Sequence, residues 1–108
     1  MLMIERDKAE ERRYTRVHLP VPAEVSCDSH NYVRQSAHLR DISAGGAFLY
    51  VHLEPKVGAA VRVNFVVPGV GSDIQISCEG RVVRVESAKM GELSGIAIAF
   101  DRLNLGPW

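Results

Sequence analysis

From Val17 onward, hydrophobic side chains recur at every second position, and no other property of the chain restricts its fold so strongly. Val17, Leu19, Val21, Ala23, Val25 and Cys27 alternate with His18, Pro20, Pro22, Glu24 and Ser26, the pattern of a strand with one buried face. Prolines at outward positions predict an edge or an irregular start. Asp28-Ser29-His30-Asn31 is turn chemistry, and a second strand follows from about Tyr32 to Asp41. Ser43-Ala44-Gly45-Gly46 interrupts it before Ala47–Val51 resumes as a third strand. Val61, Val63, Phe65 and Val67 make a fourth, closed by Pro68-Gly69-Val70-Gly71. In the long fifth strand, Ile74, Ile76 and Cys78 share one parity while Val83 and Val85 take the other. That slip predicts a β-bulge near Gly80–Val82, a device that bends a strand around a closed sheet. Ile96, Ile98 and Phe100 form the sixth, with Ala97 and Ala99 on its opposite face. Six short strands with regular turns predict an all-β fold, a six-stranded antiparallel β-barrel.

The 108 residues suffice for a single core. Residues 1–16 read as a charge-rich N-terminal arm, flexible and partly helical around Lys8-Ala9-Glu10-Glu11-Arg12. Residues 17–103 read as the barrel, and 104–108 as a short tail.

Thirteen basic residues balance thirteen acidic ones, so no global field favours a polyanion, and neither DNA nor RNA is expected as a partner. An OB-like barrel for single-stranded nucleic acid is further disfavoured by an aromatic content of 6%. The opening Met1-Leu2-Met3-Ile4 is apolar for only four residues, too few for a signal-peptide core, and no run reaches membrane-spanning length. Cys27 and Cys78 lack metal-ligand spacing and disulfide density. No membrane insertion and a cytoplasmic location are expected.

Two short signals carry chemistry. Arg12 and Arg16 stand four positions apart, each offering a planar fork of donors suited to phosphate or to a guanine edge. An ordinary solvated arm also accounts for two such arginines taken alone. About 25 residues later comes Asp41-x-Ser43-x-x-Gly46. Asp41 and Ser43 face the same way in an extended segment; the carboxylate can accept from a guanine, and the hydroxyl can serve a phosphate or nearby backbone. Gly45 and Gly46 permit positive φ and close approach of a ligand. The same run is equally a strand-ending turn with local side-chain bonds. Asp41 shares parity with core-facing Leu39, so a twist or bulge between them is required to bring it to a ligand surface. Together the two signals suit a small ligand carrying both phosphate and a purine edge. His18, His30, His38 and His52 lack ligand spacing, and Ser43 has no histidine placed as its base. Gly69–Asp73 is a hairpin turn rather than a phosphate loop. Phe48 and Trp108 could form an exposed contact surface, although a terminal aromatic more often packs on the barrel.

The run Glu11-Arg12-Arg13-Tyr14-Thr15-Arg16-Val17, followed by Asp41-Ile42-Ser43-Ala44-Gly45-Gly46, resembles the PilZ domain family. Gly58, Gly80-Arg81-Val82-Val83 and Gly95-Ile96-Ala97-Ile98-Ala99-Phe100 agree with the family's outline, and the resemblance covers roughly residues 11–103. It implies a receptor for cyclic di-GMP, without catalysis and without a cofactor. Arg12 and Arg16 would hold the ligand from the arm, and Asp41, Ser43 and Gly46 from the barrel, with Arg13 and Gly45 as additional contacts. Glu11 stands where a common variant carries a further arginine, which favours one ligand per chain. An unidentified downstream protein would read the bound state, with outputs such as motility or biofilm formation. The alternative is a PilZ-fold adaptor that assembles with other proteins and needs no nucleotide.

Overall fold

The computed structural model describes residues 15–52, 54–87 and 92–106. Its strands are β1 (Val17–His18), β2 (Pro22–Cys27), β3 (Gln35–Ile42), β4 (Gly46–Val51), β5 (Ala60–Val67), β6 (Ile74–Glu86) and β7 (Ser94–Leu105), all paired antiparallel. Hydrogen bonding runs in the order β3–β2–β5–β6–β7–β4, and β4 returns to β3 to close the ring. Closure of six strands is the barrel expected from the alternation. The two-residue β1 lies outside the ring, attached to the end of β3.

Inward positions form one core, in which Val25, Leu39, Leu49, Val63, Phe65, Val82 and Ile96 are almost fully buried. Burying each of these side chains contributes about 1.5–3 kcal/mol, and closure leaves the ring itself no open edge.

The structure corrects the expected strands in four places. The first alternating run is broken, because Leu19–Val21 leaves the sheet between β1 and β2. Leu19 N–H donates to the Arg40 carbonyl at 2.9 Å and Val21 N–H to the Leu19 carbonyl at 2.9 Å. Pro20 and Pro22 cannot donate to a ladder, so the second sits at the first residue of β2, where a missing N–H is tolerated. The second expected strand starts later, at Gln35, because Asn31 and Tyr32 take positive φ (57° and 56°) after a 3-10 turn at Asp28–His30. The bulge expected near Gly80–Val82 of β6 falls just after it, at the register shift between Val82 and Arg84; a second shift, at Glu79/Gly80, comes from an extra residue, Asp101, in β7. Val82 rather than Val83 points inward, however: Val83 is the extra residue of the bulge and is 53% exposed. Finally, β7 continues to Leu105, two residues beyond the expected end of the barrel, because its last turn of ladder pairs with β6 from Leu103↔Cys78 to Leu105↔Ile76.

The helical part of the expected N-terminal arm, with Arg12 and Arg13, lies outside the described residues. Among the described residues no helix is long and apolar enough to cross a membrane.

Candidate functional site

Asp41 owes its position to a bulge. In the β3–β4 ladder Leu39 pairs with Leu49, but Asp41, not Arg40, pairs with Phe48. Arg40 is therefore the extra residue, and its insertion turns Asp41 from Leu39's inward parity to the outer face. The irregularity demanded by the sequence is present, at the residue between the two. The Arg40 carbonyl, left out of that ladder, accepts from Leu19 N–H.

Register then extends the outer face into a row. His18 pairs with Asp41, Asp41 with Phe48, Phe48 with Ala97, and Ala97 with Arg84. Five strands thus contribute side by side. Because β1 pairs Val17 with Ile42, Arg16 falls level with Ser43 at the tip of the β3–β4 hairpin.

Above this row lies an open groove of about 370 Å³, lined by Arg16, Asp41, Ser43 and Phe48 from one side and by Val83 and Arg84 from the other. Its floor is made of small residues, Gly45, Gly46, Ala47, Ala97 and Ala99, with Ile98. Arg16, Asp41, Ser43, Gly45 and Gly46 from the sequence-derived set are therefore brought together. Arg12 and Arg13 lie outside the described residues.

The hairpin tip is tied by its own serine. Ser43 N–H donates to the Gly46 carbonyl at 2.8 Å, and Gly45 N–H donates to Ser43 Oγ at 3.2 Å. Phe100 N–H donates to the Gly45 carbonyl at 2.9 Å, fixing the tip to β7. Ser43 thus shapes the loop as well as facing the groove. Gly46 is required for a different reason from the one expected. Positive φ among the described glycines occurs at Gly58, Gly71 and Gly106, not at Gly46. A Cβ on Gly46 would instead collide with the Ile98 carbonyl oxygen of β7.

Phe48 is the residue that sequence reasoning placed least well. It lies on the outer face, outside the barrel core, yet is only 4% exposed rather than forming an open contact surface. The Arg40 guanidinium covers its ring at 3.9 Å from the centroid, Arg84 approaches to 5.8 Å, and Tyr50 meets it edge-on at 5.6 Å. Gly95 makes room for the ring, since a Cβ there would come within 2.5 Å of its Cζ. The sequence keeps Phe48 apart from Arg40 and Arg84, and only strand register brings the three together.

Electrostatically the groove leans positive. Asp41 is its carboxylate, and Arg40 Nε–H already donates to Asp41 Oδ2 at 2.8 Å, with the two side chains 37% and 15% exposed. This contact, and secondarily a hydrogen bond to Tyr50, raises the Arg40 pKa above its ordinary value. Arg16 and Arg84 remain as the cations of the lining, Arg84 with Glu86 at 3.3 Å as an exposed partner. Such a partner in water holds an arginine only weakly. Among the described residues, no cluster of His, Cys, Asp or Glu could hold a metal ion.

Comparison with known proteins agrees with this fold. Residues 10–107 match the family model described as the PilZ domain. Among solved structures, the inhibitor of motility MotI/DgrA of Bacillus subtilis superposes with a TM-score of 0.72 at 19% identity, over 94% of this chain. The chain spans only 45% of that protein's length. The PilZ domain of YcgR from Escherichia coli, solved with c-di-GMP, superposes with a TM-score of 0.56 at 15% identity, over 85% of this chain and 79% of that one. No curated protein matches the sequence. The family match covers nearly the whole chain, and the closed six-stranded barrel accords with it: the chain belongs to the PilZ domain family.

Proposed function

We propose that the groove binds cyclic di-GMP and that the chain acts as a receptor for this dinucleotide. The observation that carries the reading is the convergence of Arg16, Asp41, Ser43, Gly45 and Gly46 on one concave surface. A permanent cation, a carboxylate acceptor and a flat floor of small residues suit a ligand that is both a dianion and a purine. Arg16 supplies donors to phosphate or to the guanine O6 and N7 edge, and Asp41 accepts from the guanine N–H groups. Gly45 and Gly46 allow the ligand to approach the main chain. Arg12 and Arg13 would add donors from the N-terminal segment, closing the ligand between that segment and the barrel. Charge-assisted bonds of roughly 1.5–3 kcal/mol each offset the cost of immobilising the ligand. The bound state then presents an altered N-terminal surface to a downstream protein.

Isothermal titration of the chain with cyclic di-GMP tests the reading. Saturable binding that is lost in Asp41→Ala and weakened about tenfold or more in Arg16→Ala is expected, one decade corresponding to about 1.4 kcal/mol. Absence of binding by the unaltered chain would leave the adaptor alternative in its place.

A further inference from the structure

Arg40 takes no part in the family motif and does not line the groove, yet it is held at two points by residues that do, Asp41 and Phe48. Its Nε–H donates to Asp41 Oδ2 at 2.8 Å, and its guanidinium lies 3.9 Å from the centre of the Phe48 ring. It is also the extra residue of the β3 bulge, so the irregularity that turns Asp41 outward places this cation directly behind it.

A carboxylate at the mouth of an anion site is a liability. Two like charges a few ångströms apart in a partly desolvated groove repel strongly, and a dianionic ligand that approaches Asp41 meets such a charge. A cation fixed behind the carboxylate cancels that repulsion. An ionised carboxylate has about four lone-pair sites on its two oxygens, and Arg40 occupies one of them on Oδ2. Among the described residues Oδ1 has no hydrogen-bond partner, so it can accept from a ligand. Because a flat guanidinium clamped against an aromatic face has few ways to reorient, the carboxylate is held in one orientation before any ligand arrives.

We propose that Arg40 is the positioning residue of Asp41, neutralising and orienting its carboxylate from outside the groove so that an anionic guanine nucleotide can use it. This rests on the binding reading given above. It assigns the residue before the motif aspartate a task that it performs only through Asp41.

A double-mutant cycle on the whole chain, read by titration with cyclic di-GMP, tests the assignment. Arg40→Met keeps an aliphatic stem over Phe48 while removing the charge and the fork; Asp41→Asn removes the carboxylate that needs them. Arg40→Met alone is expected to weaken binding about tenfold or more. In the Asp41→Asn background the same change is expected to cost less than about threefold, since residues that act as a unit are not additive. Arg40→Lys, which restores charge without the planar fork, should recover part of the loss. Thermal unfolding without ligand identifies any variant whose barrel is disturbed, and Arg40→Gln then replaces Arg40→Met in the cycle. Equal losses in both backgrounds, or tighter binding on removing Arg40, would overturn the assignment while leaving the binding site intact. No binding by the unaltered chain would instead remove the nucleotide reading, and this assignment with it.

Discussion

Gly46 of β4 and Ile98 of β7 approach so closely that a Cβ on the glycine would overlap the isoleucine's carbonyl oxygen. Backbone cannot rotate away as a side chain can, so the strands must separate to admit any other residue. Gly46→Ala is therefore expected to destabilise the barrel by about 1–3 kcal/mol, measured by urea unfolding, and to weaken ligand binding because the groove floor rises with it. Unchanged stability would show that β4 and β7 can spread at no cost.

Arg16 behaves oppositely. Its side chain is exposed, and it is set in place by the Val17–Ile42 pairing rather than by its own contacts. Arg16→Ala should leave the unfolding midpoint within about 0.5 kcal/mol of the parent while lowering affinity for cyclic di-GMP. Raising the salt concentration should weaken binding in the parent more than in the variant, since a screened cation has less to lose.

Ser43 combines both kinds of effect. Removing its hydroxyl leaves Gly45 N–H without its 3.2 Å partner at the hairpin tip. Ser43→Ala should cost about 1 kcal/mol of stability, and Ser43→Thr, which keeps the oxygen, should recover it. Equal stability of all three proteins would show that water replaces the hydroxyl at the tip.

Cys78 gives the barrel a pH dependence at its alkaline end. Burial pushes its thiol from the ordinary 9.0 up to about 11, because the thiolate would lose its water. The folded state then retains a proton that the unfolded chain releases above pH 9.0, so the thiol's contribution is complete below that value and lost as pH rises to about 11. Across that window stability should fall by up to roughly 2–3 kcal/mol, a slope absent from Cys78→Ala. Reaction with a disulfide reagent should be slow until the protein unfolds, as expected of a thiol only 1% exposed.

The barrel was legible because its cause is local. Alternation with a period of two identifies a strand from its own residues, and Asn31, the glycines and the prolines punctuate it. Even the two irregularities, at Arg40 and near Gly80–Val82, announced themselves as breaks in parity. The errors arose where one partner strand outweighed local pattern. Val83 has the composition of a core residue, but the extra position in β6 left it outside while Val82 filled the core. Leu19 and Val21 continued the alternation on paper, yet without N–H groups at Pro20 and Pro22 the ladder could not run through them.

For the candidate site the division is sharper. The motif residues were legible as two clusters of suitable chemistry, and their spacing gave the turn that ties Ser43 to Gly46. Which other residues share the groove was not legible. Phe48, Arg84 and Ala97 come from three separate strands and meet in one row only because two ladders, β4–β7 and β6–β7, are in register. Gly46 likewise looked like a conformational glycine and proved to be a spatial one. Chain chemistry alone determined that this protein is a closed β structure presenting arginine, aspartate and serine near one hairpin. Tertiary structure decided which face they share, what lies beneath them and which cation stands behind Asp41, because pairing between distant strands sets register and a single inserted residue reverses the side on which everything after it points.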